Sequence, residues 1–253
     1  MDDPVLLSAV EELKVLCSKH NVAESHGFGH AIRVLEHVHQ ALSFATGIGA
    51  ARKQAVRLAA LLHDADDRKV FPDKKEVKNA QQIMENAGAE WVVIRDAMRM
   101  IELVSCSANG NSVPDDAVKE PELLWPRWAD RLEATGEIGI IRCWQFNCEV
   151  GAPLMLADTP RPKSEEEVWA FATHERFDRY QAFGISNSML DHYYDKLLRV
   201  ACPPLHVVQN SYLEEEMMHR AQPLVKVCLD YGLTGLLPLN EEIISEMKMR
   251  IKL

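Results

Sequence analysis

Apolar residues recur at three- and four-residue intervals along nearly the whole chain, and alternating stretches that would mark strands are scarce, so the pattern predicts an almost wholly α-helical fold. Leu6, Val10, Leu13 and Leu16 mark a first amphipathic helix. A second, Ala31 to Phe44, is entered through a loop at Gly27 and Gly29 and left near Gly47. The third, Ala50 to His63, is apolar around most of its circumference toward its end, as expected of a central helix. Asp73 with Glu76 reads as a capping box and Gly88 as a stop signal, which predicts a helix from Lys74 to Ala87. Trp91, Ile94, Met98 and Ile101 give the next helix its expected buried stripe.

From Ser107 to Pro126, Gly110, Pro114, Pro121 and Pro126 predict a loop-rich stretch with short turns, bordering the site described below. Helix resumes from Ala129 to Phe146, with Asp130 near its start. Gly151 to Lys163, with three prolines, reads as a surface loop placed to cover a substrate. Ser164 and Glu167 make a second capping box that opens a helix from Glu165 to Phe183, and Ser186 starts another to about Val200. Cys202-Pro203-Pro204 breaks the chain before two last helical segments, near Val207 to Tyr231 and Glu241 to Lys252. The expected organisation is one domain over residues 1–202 with a C-terminal helical extension, 203–253, packed on it. Met217, Met218, Leu224, Val225 and Leu229 in that extension pack on the domain or form a homodimer interface.

Composition narrows the function. The 253 residues and 47% hydrophobic content suffice for a large core, and no repeat or low-complexity linker divides them. A net charge of −10 with no Lys/Arg-rich block argues against a nucleic-acid polymer as partner, while small phosphorylated substrates need only local positive charge. No apolar run approaches a membrane span and the acidic start lacks the regions of a signal peptide, so no membrane partner and a cytoplasmic location are expected. Six scattered cysteines without a CxxC pair fit reduced, mostly buried thiols.

Chemistry concentrates at Leu61-Leu62-His63-Asp64-Ala65-Asp66-Asp67-Arg68-Lys69, where an apolar helical run ends in an adjacent imidazole and carboxylate. Neutral imidazole and carboxylate are common ligands of divalent cations, and core packing does not ask for His-Asp at the inner end of an apolar helix. Upstream stands His26-Gly27-Phe28-Gly29-His30-Ala31-Ile32-Arg33-Val34, and downstream Trp128-Ala129-Asp130-Arg131-Leu132-Glu133. Two imidazoles and two carboxylates would make a hard, mixed site for one divalent ion. Manganese is the expected metal, with magnesium, cobalt, nickel, iron or zinc also compatible. With two Asp ligands such a centre is formally neutral and accepts a phosphate oxygen without a large repulsive penalty.

This spaced His, His-Asp, Asp series resembles the HD superfamily of metal-dependent phosphohydrolases, whose four ligands would here be His30, His63, Asp64 and Asp130. Ala129 to Arg142 is similar to the last-Asp helix of the branch related to bacterial nucleoside triphosphate pyrophosphohydrolases, and Asp191 to Leu198 to the helix that closes their domain. The resemblance covers about Ser25 to Val200 and departs from the common pattern at Gly27, where many members carry an acid. It implies an all-α HD-domain helical bundle and an enzyme that cleaves (deoxy)nucleoside triphosphates with pyrophosphate release, by metal-activated attack of water on phosphorus. A nucleoside monophosphate or small phosphoester phosphatase, and a non-catalytic nucleotide- or protein-binding HD module, are the alternatives. Dinuclear members of the superfamily need extra histidines between the doublet and the last Asp. Residues 65–129 contain none, which favours one metal and hydrolysis.

The resemblance also places Asp67 as the general acid or base, alongside the ligand Asp64; the plain alternative for Asp66 and Asp67 is that they cap or solvate a helix end. Arg33, one turn beyond His30, and Lys69 are the cations best placed to bind substrate phosphate. Arg142 joins them if its helix lines the pocket. His26 reads as a contact to substrate phosphate or to a metal ligand, because the glycines beside it argue for a loop. Arg68 and Arg131 read as solvent-facing or paired with neighbouring acids, and His37 and His39 as surface or packing residues.

Overall fold

Helix follows helix from Pro4 to Ile251 in the computed structural model, which describes residues 3–22, 26–67, 71, 78–203 and 205–251; among these no residue lies in a strand. The chain gathers into two compact units, residues 1–130 with 206–214, and residues 131–205 with 215–253. The segment 203–253, read from the sequence as one extension, is therefore shared between them.

In the first unit α1 (Pro4–Lys19), α2 (Phe28–Ser43), α3 (Ala50–Leu62), α4 (Asn79–Asn86) and α5 (Trp91–Val104) pack around α3, which touches α1, α2 and α5. Its Val56, Leu58, Ala59, Ala60 and Leu62 are wholly buried, and the small alanines let the neighbouring helices come close. Asp3 accepts from the Val5 and Leu6 amides to cap α1, and Gln54 of α3 donates to the same carboxylate. The Asp73–Glu76 capping box lies outside the described residues.

The buried face of α5 differs from the expected one. Val93, Ile94, Ala97, Met100, Leu103 and Val104 face the core, whereas Trp91 is 72% exposed and carries the Arg95 guanidinium over its ring. Both sets have helical spacing, and the one with smaller side chains fits against the alanine-rich α3.

Beyond α5, α6 (Cys106–Asn109), α7 (Asp115–Lys119) and a 3₁₀ turn, Pro121–Leu124, fill the expected loop region and lead directly into α8 (Trp125–Leu132). The long helix expected over 129–146 is thus two, α8 and α9 (Gly136–Glu149). Thr135 ends the first by donating from Oγ1 to the carbonyls of Arg131 and Leu132, and Gly136 then turns the chain in the left-handed region at φ +68°. Asp130 consequently lies near the end of its helix.

The second unit holds α9, α10 (Glu165–Phe171), α11 (His174–Phe183), α12 (Met189–His192), a π-helical turn at Tyr193–Leu197 and α13 (Leu198–Ala201). Thr173 Oγ1, accepting from the Arg176 amide, starts α11 afresh, so the helix expected over 165–183 is also divided. Ser164 caps α10 as expected, while Ser188 and not Ser186 caps α12. The chain returns to the first unit through α14 (Leu205–Val208) and the start of α15 (Ser211–Thr234), then ends with α16 (Glu241–Ile251). Leu224, Val225 and Cys228 of α15 join Ile140, Tyr193 and Leu198 in the core of the second unit, and Met218 is half exposed. Of the six free cysteines Cys17 and Cys228 are buried, Cys106 and Cys143 are half-buried, and Cys148 and Cys202 are exposed.

Candidate metal centre

The four predicted ligands come from three places in the first unit. The first turn of α2 supplies His30; the helix begins at Phe28 with Gly27 as its N-cap, so Gly29, expected in the entry loop, lies inside the helix. His63 caps the C-terminus of α3, Asp64 follows in the turn, and α8 brings Asp130.

Each element is held in place. Arg127, wholly buried one turn before Asp130, donates from Nε to the Leu103 carbonyl at 2.6 Å and from Nη1 to the Ser112 carbonyl at 2.7 Å, which ties α8 to the end of α5. Trp125 Nε1 donates to the Val208 carbonyl. The far end of α2 is pinned by His37 Nδ1, 2.7 Å from the Tyr212 hydroxyl, and by Asn210 Nδ2 donating to the Ala41 carbonyl. These anchors escape a reading by local pattern because the partners lie far apart in the chain. The cue available in the sequence is an arginine set among tryptophans on a short apolar helix, where an exposed position would be its ordinary place.

The ligand atoms converge. His30 Nε2 lies 3.2 Å from His63 Nε2 and 3.2 Å from Asp130 Oδ1, and the latter two are 3.5 Å apart. Asp64 Oδ2 stands 3.5 Å from His63 Nε2 and 3.8 Å from His30 Nε2. His63 Nδ1 is 2.8 Å from the Ala60 carbonyl, and since a carbonyl only accepts, that nitrogen carries the hydrogen and Nε2 presents its lone pair in the neutral ring. The ligand atoms of His30, His63 and Asp130 lie within 4.8 Å of one another, with the Asp64 carboxylate beside the two imidazoles, a donor set suited to a divalent cation, so the residues fit the metal that the sequence pattern implies.

The electrostatics agree. Burial opposes charge on His63, yet Asp64 and Asp130 outweigh it and push its pKa up to about 10. Asp130 is likewise opposed by burial and held well below the carboxylate range by hydrogen bonds from His30 and His63. The pocket therefore favours positive charge at its centre. The imidazoles are 3% and 1% exposed, whereas Asp64 is 22% and Asp130 30% exposed, so the carboxylates form the more open side of the centre.

The remaining predicted residues divide. His26, in the turn before α2, has Nδ1 3.1 Å from Asp64 Oδ2 and so touches a ligand. Asp66 does what the plain alternative holds: its Oδ1 accepts from the Ala80 amide at the start of α4, and burial raises its pKa against the effect of that bond. Half-buried Asp67 lies in the same turn, its amide donating to the Asp64 carbonyl and its carbonyl accepting from Phe71. Arg33 is half-buried on α2, one turn beyond His30. Arg142 belongs to the second unit, where its Nη1 donates to the Glu133 carbonyl. Arg68 and Lys69 lie outside the described residues.

No protein-family model matches the chain. It is 38% identical over 226 residues to an uncharacterised protein of Acanthamoeba polyphaga mimivirus, a match covering 85% of this chain and 90% of the viral one. The chain belongs to the family of that protein. Solved structures give the fold. An HD-superfamily hydrolase from Bacillus thuringiensis superposes with a TM-score of 0.57 at 20% identity, over 98% of this chain and 97% of the other. A protein from Lactobacillus plantarum gives 0.58 at 18% identity over 100% and 99% of the two chains, and one from Listeria innocua 0.55 at 19% over 98% and 96%. The chain thus has the fold of an HD-superfamily hydrolase, as the resemblance of its spaced histidines and aspartates led us to expect. Among the described residues no helix is long and apolar enough to cross a membrane.

Proposed function

We propose that this protein is a metal-dependent phosphohydrolase that cleaves (deoxy)nucleoside triphosphates to the monophosphate and pyrophosphate. The observation that carries the hydrolase reading is the convergence of His30, His63 and Asp130, whose ligand atoms lie within 4.8 Å of one another, with the Asp64 carboxylate 3.5 Å from His63 Nε2 and 3.8 Å from His30 Nε2 at a partly open site. The substrate class rests on the likeness of residues 129–142 and of the acid after the His-Asp doublet to the pyrophosphohydrolase branch. A divalent ion held by the four ligands supplies Lewis-acid polarisation of the phosphoryl group and lowers the pKa of water.

The chain's own side chains supply the rest. Asp67, three residues beyond Asp64, takes the proton of the attacking water as its oxygen bonds to the α-phosphorus. The bond from that phosphorus to the bridging oxygen breaks, and pyrophosphate departs with the electron pair. Arg33 and Lys69 offset the negative charge of the phosphates. The buried imidazoles keep one side of the centre free of water, so attack comes from the open carboxylate side.

Incubation with Mn and a panel of nucleoside mono-, di- and triphosphates tests this reading, with pyrophosphate and orthophosphate measured separately. The expected result is pyrophosphate and monophosphate from triphosphates, abolished in Asp64→Ala. Orthophosphate released only from monophosphates would replace the reading with a nucleotide phosphatase; binding without turnover would replace it with a non-catalytic module.

A further inference from the structure

Asp64 is held differently from the other three ligands. The ligand atoms of His30, His63 and Asp130 all lie within 4.8 Å of one another, and each of these residues is part of a helix or caps one. Asp64 sits in a turn, partly exposed, so the backbone alone does not select one orientation for its carboxylate. Across from it is His26, from another turn 38 residues away, with Nδ1 3.1 Å from Asp64 Oδ2. That oxygen is the one facing both ligand imidazoles.

We propose that His26 is a positioning residue of the metal centre, donating from Nδ1–H to Asp64 Oδ2 and so holding this carboxylate toward the point where the other three ligands meet. An ionised carboxylate only accepts, so the shared hydrogen belongs to the imidazole. The start of α2 makes the reach possible. Gly27 is extended at φ −86° and ψ −172° and ends the helix before His26, whereas a helix continued through it would stack the His26 ring on the face of His30. Instead the two rings meet edge to face with centroids 6.2 Å apart, and His26 bridges to Asp64. A partner of this kind prepays the ordering of the ligand, and its loss from metal sites costs about 10–100-fold in affinity. The role rests on the metal-centre reading above and assigns His26 to the ligand, not to substrate phosphate.

Mn affinity of the full chain, measured without nucleotide by the electron paramagnetic resonance of free Mn, tests the proposal. His26→Ala is expected to weaken binding by about 10-fold or more. His26→Asn, whose amide nitrogen can occupy the place of Nδ1, should restore most of the affinity. His26→Gln, with its nitrogen one bond further out, should behave as the alanine variant. Comparing the two amides separates positioning from folding, because both lack the imidazole. Unchanged affinity in His26→Ala, or equal affinities of the two amide variants, overturns the proposal. Failure of the wild-type protein to bind Mn overturns the metal centre itself, and this role with it.

Discussion

Asp66 and Asp67 are adjacent carboxylates with different surroundings, and the difference decides what each substitution should do. Asp66 accepts from an otherwise orphan amide at the N-terminus of α4, the position at which a cap is worth about 1 kcal/mol. Asp66→Ala should therefore lower unfolding free energy by about that much in urea titrations while Mn affinity stays unchanged. Asp67 belongs to the turn of the ligand Asp64 and is assigned the proton transfer. Asp67→Asn should leave Mn binding near wild type and reduce kcat by about 10²-fold or more in the pyrophosphate assay. A loss of stability without a loss of rate in that variant would move Asp67 into the role of its neighbour.

At the scale of elements, the sequence conveyed the helices better than their ends. Periodicity marks α3 and α16 nearly to the residue because each has a continuous apolar face and an ordinary stop. It joined α8 to α9 and α10 to α11 because Thr135 and Thr173 interrupt helices through side-chain hydrogen bonds, which leave the apolar spacing almost intact. The residues that meet at the candidate centre were legible because each stands in a short local pattern. Their anchors were not, since Arg127 finds its carbonyl partners 24 and 15 residues away.

The face of α5 is a case in which two stripes had equal spacing and only the neighbouring α3 could choose. Met100→Ala, at a wholly buried position, should cost about 2–5 kcal/mol of stability. Trp91→Ala, at a largely exposed one, should cost about 0.5 kcal/mol or less. The reverse order in denaturant melts would restore the stripe expected from sequence.

For the molecule as a whole, the candidate centre and the group that should set its acid stability fall in different units. The candidate metal ligands lie in the first unit, while the second contains a histidine that should make the protein sensitive to acid. Burial, with Lys196 nearby, pushes the His192 pKa down to about 3; its ring packs edge-on against Tyr180 and Nδ1 is 3.2 Å from Ser186 Oγ. Because the folded value lies below the ordinary 6.5, the unfolded chain takes up this proton first. The contribution is complete above about pH 6.5 and is lost as pH falls toward 3, amounting to at most about 2 kcal/mol between pH 7 and pH 5. His192→Gln should flatten that part of the stability profile in urea melts across this range, and an unchanged acid slope would show that His192 is not its source.

The account stands on one cation shared by residues drawn from α2, the end of α3 and α8. Diffraction at the manganese edge from crystals grown with Mn addresses it directly. The expected anomalous map has a single strong peak in the first unit, about 2.0–2.3 Å from nitrogen atoms of His30 and His63 and oxygen atoms of Asp64 and Asp130. Manganese bound elsewhere, or ligated by fewer than three of these four side chains, would contradict it.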